Sequence, residues 1–386
     1  MEKSRPQKIC CFFNYNPHYR LPIYKEMSEK LDCDFYFGDS VFERIEPFDP
    51  GKLKGFQHLL KAHKAGNYIW HSGISSLFRK EYTHYIITAT PVILSCWPVI
   101  LYAKLTGKKV LCWSHGLNRE VTKPFWKLYD RILFGSMDGI LLYNRHNLQY
   151  MEKLGCDPDR IRIIHNSLDS DRQTALFQAM EAEADGSAGT MDIYSRHFGN
   201  DDPVIIYIGR IQKRKKLELL VEAVRMLNSE ESGHGVNLAI VGDGSDGGEI
   251  ARLVANYELE DRVWFYGPSY DEKTNAELLY HAAACVCPAA VGLTAIHALS
   301  YGTPVITNDN LRTQMPEFEA ITEGVTGSFF REDDAADLCA RIKHWTSQSP
   351  TQRAECRKSA RATIEKDWNV RYQMDIIRLA LDLDAR

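Results

Sequence analysis

"CPAAVGLTAIHALSYGTPVITND" (Cys287–Asp309) holds a short apolar strand, a turn around Gly292, a helical stretch, a second turn and a second apolar strand. A strand, a helix and a strand in this order form one parallel unit with the helix laid on a face of the sheet. No acidic residue occurs from Cys287 to Asn308, although the chain has a formal net charge of -4. A helix start without carboxylates suits an anionic guest, because first-turn N–H groups and the helix dipole both favour negative charge.

The same alternation extends outward from this stretch. Before it come the strands "VIIYIG", "NLAIVG" and "VWFYG", with helical stretches "KLELLVEAVRMLN" and "EIARLVANYEL" between them. The first half reads as strands at "KICCFF", "CDFYFG", "NYIW", "HYIITA", "KVLCWS" and "DGILLYN", with helices such as "LPIYKEMSEKL" and "TKPFWKLYDRILF". Such alternation predicts parallel sheets covered on both faces. The 386 residues suffice for two such bodies. The expected architecture is α/β, with two doubly wound Rossmann-like domains facing a cleft, at residues 1–170 and 203–366. A linker is expected over 171–202, where "EAEADGSAGTMD" (Glu181–Asp192) is small, polar and acidic. The helical tail 367–386 is expected to fold back onto the first domain.

A 44% hydrophobic and 25% charged composition is that of a soluble globular protein. Its acidic balance argues against a nucleic-acid partner. "MEKSRPQKICCFFNYN" lacks the apolar core of a signal peptide, and no run approaches the roughly 18 apolar residues of a membrane span. A cytoplasmic location is therefore expected. The ten cysteines sit mostly in apolar runs and read as buried thiols. Cys285 and Cys287 have no second Cys/His pair at zinc spacing, so no metal is expected.

Several strand–turn–helix junctions carry candidate chemistry. "VIIYIGRIQKRKKLELLVEA" places Gly209 and Arg210 at a strand end, followed by Lys213 to Lys216. A glycine lets a phosphate approach the backbone, Arg210 can fork onto two oxygens, and Lys215 adds a point charge. "LAIVGDGSDGGEIARL" supplies Gly242 and Gly244 in a permissive turn, without the full dinucleotide fingerprint. In the opening stretch, Gly292 frees the backbone, Leu293 to Ile296 are expected to offer unpaired N–H groups, and His297 lies one turn further in. "KKVLCWSHGLNRE" ends a strand with His115, which should face the binding edge of the first sheet.

"YIGRIQKRKK", "IVGDG" and "GLTAIHALSYGTPVI" together resemble the carboxyl domain of family 4 glycosyltransferases, and "IRIIHNSLD" is similar to the end of that family's first domain. The resemblance covers about His115 to Gly327. It implies the GT-B fold and transfer of a sugar from a nucleotide diphosphate donor with retention at the anomeric carbon. Arg210 and Lys215 match the family's diphosphate-binding pair, and His115 its histidine near the donor sugar. The turn of Gly292, Leu293 and Thr294 matches its diphosphate cradle. The implied acceptor is a glycan or a lipid-linked molecule, as in surface polysaccharide or glycoconjugate biosynthesis. The donor is a substrate and no cofactor is implied. Two departures stand out. Ala289 and His297 occupy the positions of the family's paired glutamates, and the first turn reads "NYNPHYRLP" in place of a Gly-Gly loop. Tyr15, His18 and Arg20 in that turn are the acceptor-side candidates.

Residues 100–135 contain seven basic side chains (Lys104, Lys108, Lys109, Arg119, Lys123, Lys127, Arg131) against Glu120 and Asp130. This local positive charge beside the apolar "PVILSCWPVILYAKL" makes an anionic membrane surface an expected partner, at the inner face of the membrane. Two other classes compete. A nicotinamide-dependent oxidoreductase would need a glycine-rich first turn, which "CCFFNYNPHYR" lacks. A degenerate GT-B protein would bind nucleotide or glycan without turnover.

Overall fold

The computed structural model describes residues 7–39, 45–118, 121–186, 192–229 and 234–383. The chain forms two units, one of Met1–Leu168 with Asn369–Arg386, the other of Asp169–Trp368.

The first unit contains β1 (Ile9–Phe13), β2 (Cys33–Gly38), β3 (Phe56–Leu60), β4 (Ala62–Ala65), β5 (Tyr68–His71), β6 (His84–Ile87), β7 (Lys109–Ser114), β8 (Gly139–Leu142) and β9 (Ile161–Ile163). Seven of these form one parallel sheet in the order β3-β2-β1-β6-β7-β8-β9. β1, β6 and β8 are buried at every residue, as continuous apolar runs in a two-sided parallel sheet must be. "NYIW" departs from the expected parallel alternation. β5 alternates exposed and buried residues and pairs antiparallel with β4. The two residues Gly66 and Asn67 join them, with Gly66 at φ 56°, a connection too short for anything but a hairpin.

The second unit contains β10 (Val204–Ile208), β11 (Asn237–Val241), β12 (Val263–Gly267), β13 (Ala284–Cys287), β14 (Val305–Asn308) and β15 (Gly327–Phe330). All pair in parallel in the order β12-β11-β10-β13-β14-β15. β10 therefore lies between the branch that leads to β12 and the branch that begins at β13. At such a point the helices leave to opposite faces and open a crevice beyond the carboxyl ends of the strands.

The expected linker is largely helical. Ser170–Gly186 and Ile193–Phe198 are helices of the second unit, and residues 187–191 fall outside the described residues. Ala, Gln, Met and Glu in the first of these favour helix. Asp192 caps the second by accepting from the N–H groups of Tyr194 and Ser195. Buried Tyr194 donates to the carbonyl of Leu278 at 2.7 Å, and Glu181 accepts from Tyr280 and pairs with Arg357. These contacts fix as structure what its composition suggests is a connection.

After the capped helix Pro350–Asp367 the chain enters the first unit at Asn369. The helix Val370–Ala380 lays Val370, Met374 and Ile377 into the cluster that holds Ile23, Met27 and Trp113. Gln373 accepts from Ser167 at 2.6 Å and donates to the carbonyl of His165 at 2.9 Å.

Candidate active site

In the second unit, the expected donor residues gather at the carboxyl ends of β10 and β13. Gly209 closes β10 with φ 154°, and its N–H donates to Val241. The Ile211 N–H donates to Asp243 at 2.7 Å, so the loops after β10 and β11 run side by side. A Cβ on Gly242 would stand 1.9 Å from the carbonyl oxygen of Gly209, and one on Gly244 would stand 2.0 Å from that of Ile211. These two glycines are required for backbone packing, a role the motif alone did not reveal.

Arg210 is half-buried, and its carbonyl accepts from the Tyr207 hydroxyl at 2.7 Å. Lys215 ends a 3-10 turn and reaches the turn after β13, donating from Nζ to the carbonyl of Ala290 at 2.8 Å. Thr294 donates to the carbonyl of Ile208 at 3.3 Å and so ties that turn to β10. The turn is pinned from its other side. Gln314 accepts from the Val291 N–H and donates to Asn308, while Thr307 donates to the carbonyl of buried Ala289. Gly292 has only ordinary contacts for an added Cβ, so sterics do not demand a glycine there. The expectation of free N–H groups from Leu293 to Ile296 needs correction, because the Ala295 N–H donates to Gly292 at 2.8 Å. The helix itself, Thr294–Ser300, is short.

His297 has a partner that sequence spacing could not indicate. Its Nε2 donates to Glu272 Oε1 at 3.1 Å, and the same oxygen accepts from Tyr301 at 2.6 Å and Gln173 at 3.0 Å. Burial alone would push the Glu272 carboxyl up, but these donors outweigh it and hold the group down at about 2. Glu272 opens the helix Glu272–His281, capped by Asp271, and the hydrogen-bonded carboxylate also suits the positive end of that helix.

A depression of about 300 Å³ lies elsewhere on this unit, among Ile211, Lys213, Glu218, Asp246 and Glu249. Three carboxylates against one lysine make it a poor host for a diphosphate.

In the first unit, Arg20 and His115 come together. The Arg20 guanidinium lies 4.9 Å from the Trp113 ring and 5.0 Å from the Tyr143 ring. The His115 ring approaches the same Tyr143 ring at 4.6 Å. Gly116 follows at φ 65°, where a Cβ would meet Leu142 at 2.5 Å, and Asn147 donates to the His115 carbonyl at 2.8 Å. The surrounding protein and, after it, the Arg20 charge hold the His115 imidazole below its ordinary value, although the residue meets solvent. A neutral imidazole at this place can accept a hydrogen bond through its unprotonated ring nitrogen.

Tyr15 and His18 are directed elsewhere. The Tyr15 hydroxyl donates to Ile45 and the His18 ring to Glu46, so both fasten the first turn to the segment after β2. Tyr15 also borders a depression of about 320 Å³ with Asn16, Asp39, Phe48 and Asp49, whose polar groups suit hydroxyl-rich guests. Trp113 and Tyr143 escaped notice in the sequence because each sits at the end of an apolar strand run, where an aromatic reads as core.

Residues 193–363 match the family description "Glycosyl transferases group 1". A D-inositol 3-phosphate glycosyltransferase of Nocardia farcinica is 29% identical over 201 residues, 49% of this chain and 40% of that protein. WcaL of Escherichia coli K12, a glycosyltransferase provisionally named for colanic acid biosynthesis, is 25% identical over 275 residues, 68% of this chain and 61% of that protein. The chain thus spans less than two thirds of the length of these relatives. In fold, it is similar to Anabaena HepE, solved with UDP, at a TM-score of 0.68 and 14% identity over 97% of this chain and 100% of the other. It is likewise similar to sucrose-phosphate synthase of Thermosynechococcus elongatus, at 0.67 and 18% over 98% and 100%. Residues 193–363 are thus similar to the group 1 glycosyl transferases, within a chain whose two α/β units share the fold of HepE and sucrose-phosphate synthase.

Proposed function

We propose that this protein is a glycosyltransferase that moves a sugar from a nucleotide diphosphate donor to a glycan or lipid-linked acceptor with retention of anomeric configuration. The observation that carries the reading is the 288–294 turn after β13 held by Lys215 and Thr294 against the carboxyl end of β10, which Arg210 follows directly. Breaking the anomeric bond leaves negative charge on the diphosphate. Arg210 and Lys215 are suited to stabilise that charge as it develops, which lowers the barrier more than equal binding of ground and transition states would. Side-chain charge takes the part of a resident metal in this reading. The UDP complex of HepE and the relatives named as glycosyltransferases support a nucleotide-sugar donor. His297, oriented by Glu272, is assigned to the nucleotide; Arg20 and His115 are assigned to the sugar and acceptor. An anionic membrane surface belongs to the same reading, since a lipid-linked acceptor would be presented there.

The test is a donor panel followed by single variants. Arg210→Ala and Lys215→Ala are each expected to lower transfer about a hundredfold to a thousandfold while the far-ultraviolet spectrum stays unchanged. Near-normal rates in both variants would remove them from the mechanism. A second reading, binding without turnover, draws on Ala289, whose methyl group offers no polar contact. Tight binding of a nucleotide sugar with neither transfer nor hydrolysis would favour it.

A further inference from the structure

One surface of the first unit is built against the usual pattern of a solvent-facing helix. The helix Pro124–Gly135 buries Asp130, Leu133 and Phe134. Phe125, Leu128 and Ile132 follow the spacing i, i+3, i+7 and form one stripe. At about 100° per residue, that stripe falls opposite the buried side. The three side chains are 70%, 58% and 51% exposed. The neighbouring helix Cys96–Leu105 repeats the arrangement. It buries Cys96, Val99, Ile100 and Ala103, while Leu101 and Leu105, one turn apart, are 61% and 77% exposed.

These helices connect β6 to β7 and β7 to β8, three neighbouring parallel strands. Right-handed crossovers in the same direction put both helices on one face of the sheet. Their buried sides join one core cluster, and Trp97 Nε1 donates to the Tyr129 hydroxyl at 2.9 Å between them. Both outward apolar stripes therefore point away from the same face.

The charge on this face is one-sided. Lys123, Lys127 and Arg131 are exposed, and Asp130, the acidic residue of the longer helix, is buried. Lys123 occupies the N-cap without a side-chain cap, and the first turn contains no acidic residue. Positive charge at a helix N-terminus opposes the dipole and lowers helix stability. Lys123 is thus placed at a cost to the helix that follows it.

We propose that this face docks on an anionic lipid bilayer. The Phe125, Leu128 and Ile132 stripe, with Leu101 and Leu105, enters the boundary between headgroups and acyl chains, and Lys127 and Arg131 meet lipid phosphates. Large apolar side chains flanked by lysine and arginine match a surface that is apolar within and anionic at its rim. A two-fold contact with a second copy would instead set the same basic row near itself. Among the described residues no helix is long and apolar enough to cross a membrane, so the contact is peripheral. The proposal extends the membrane part of the function above and is measured without donor or acceptor, so its failure would leave the sugar-transfer reading standing.

Flotation of the full chain tests it, with vesicles of equal phosphatidylglycerol and phosphatidylcholine against phosphatidylcholine alone, at low and high salt. Co-flotation with the anionic vesicles at low salt is expected, and it should weaken at high salt. Lys127→Glu with Arg131→Glu should reduce the partition coefficient about 25-fold, from about fivefold for each basic side chain lost. Leu128→Ser with Ile132→Ser should also release the protein, with thermal unfolding unchanged because both side chains are exposed. Absence of co-flotation at low salt, or equal binding by both variants, would overturn the proposal. So would a concentration-dependent dimer in sedimentation velocity that Leu128→Ser with Ile132→Ser abolishes, which would assign the face to a second copy.

Discussion

Glu272 carries three hydrogen bonds on one oxygen, and this decides how His297 should be understood. His297 is held by its Nε2, so any contact with a nucleotide falls to its remaining ring edge. The stability effect has a definite sign. The carboxyl lies at about 2 in the folded protein against an ordinary 4.5. A depressed carboxylate contributes stability that is complete above about pH 4.5 and is lost as pH falls toward 2. Glu272→Gln is therefore expected to lower the unfolding free energy at pH 7 on the order of 2–3 kcal/mol and to flatten the acid loss between pH 4.5 and 2. Urea titrations at several pH values measure both; parallel pH profiles for the two proteins would deny Glu272 this role. The glutamate was invisible in the sequence because Gln173, Glu272 and His297 are distant in chain position and meet only through tertiary packing.

At the scale of elements, most of the parallel strands were legible as uninterrupted apolar runs, and Arg210 and Lys215 as charges placed just after one of them. β5 was legible as a strand but not as an antiparallel partner of β4, since a strand's partner depends on the turn that precedes it. The 171–202 stretch misled for a different reason. Its small and acidic residues resemble a connection, yet Asp192 is a helix cap and Tyr194 an anchor. The "IVGDG" turn was recognisable, but its cause lay in the neighbouring loop. Gly242→Ala should be costly for that reason. At φ 144° an alanine is strained, and its Cβ would collide with the Gly209 carbonyl. A loss of about 3 kcal/mol or more is expected by chemical denaturation. A change under 1 kcal/mol would mean that the loops separate freely, and the account of the glycine would fail.

For the whole molecule, the consequential feature is the return of the chain after Trp368. Val370, Met374, Ile377 and Leu381 fill the first unit's core, and each buried side chain of this kind contributes about 1.5–3 kcal/mol. A chain stopped at Trp368 is expected to lose cooperative unfolding of the first unit and to bind a dye for exposed apolar surface, whereas the continuous second unit keeps its transition. Calorimetry resolves the outcome; an unaltered first-unit transition would show that the helix is dispensable.

The same return gives the protein an order of assembly during translation. Domains emerging from a ribosome ordinarily close from the amino end onward. Here the later-made unit is contiguous and can close once Trp368 has emerged, but the earlier-made one must wait for Val370 to Leu381. Until then the hollow beside Ile23, Met27 and Trp113 lacks its cover, so the oldest part of the nascent chain is the last to be sealed. That interval is when it most needs a chaperone.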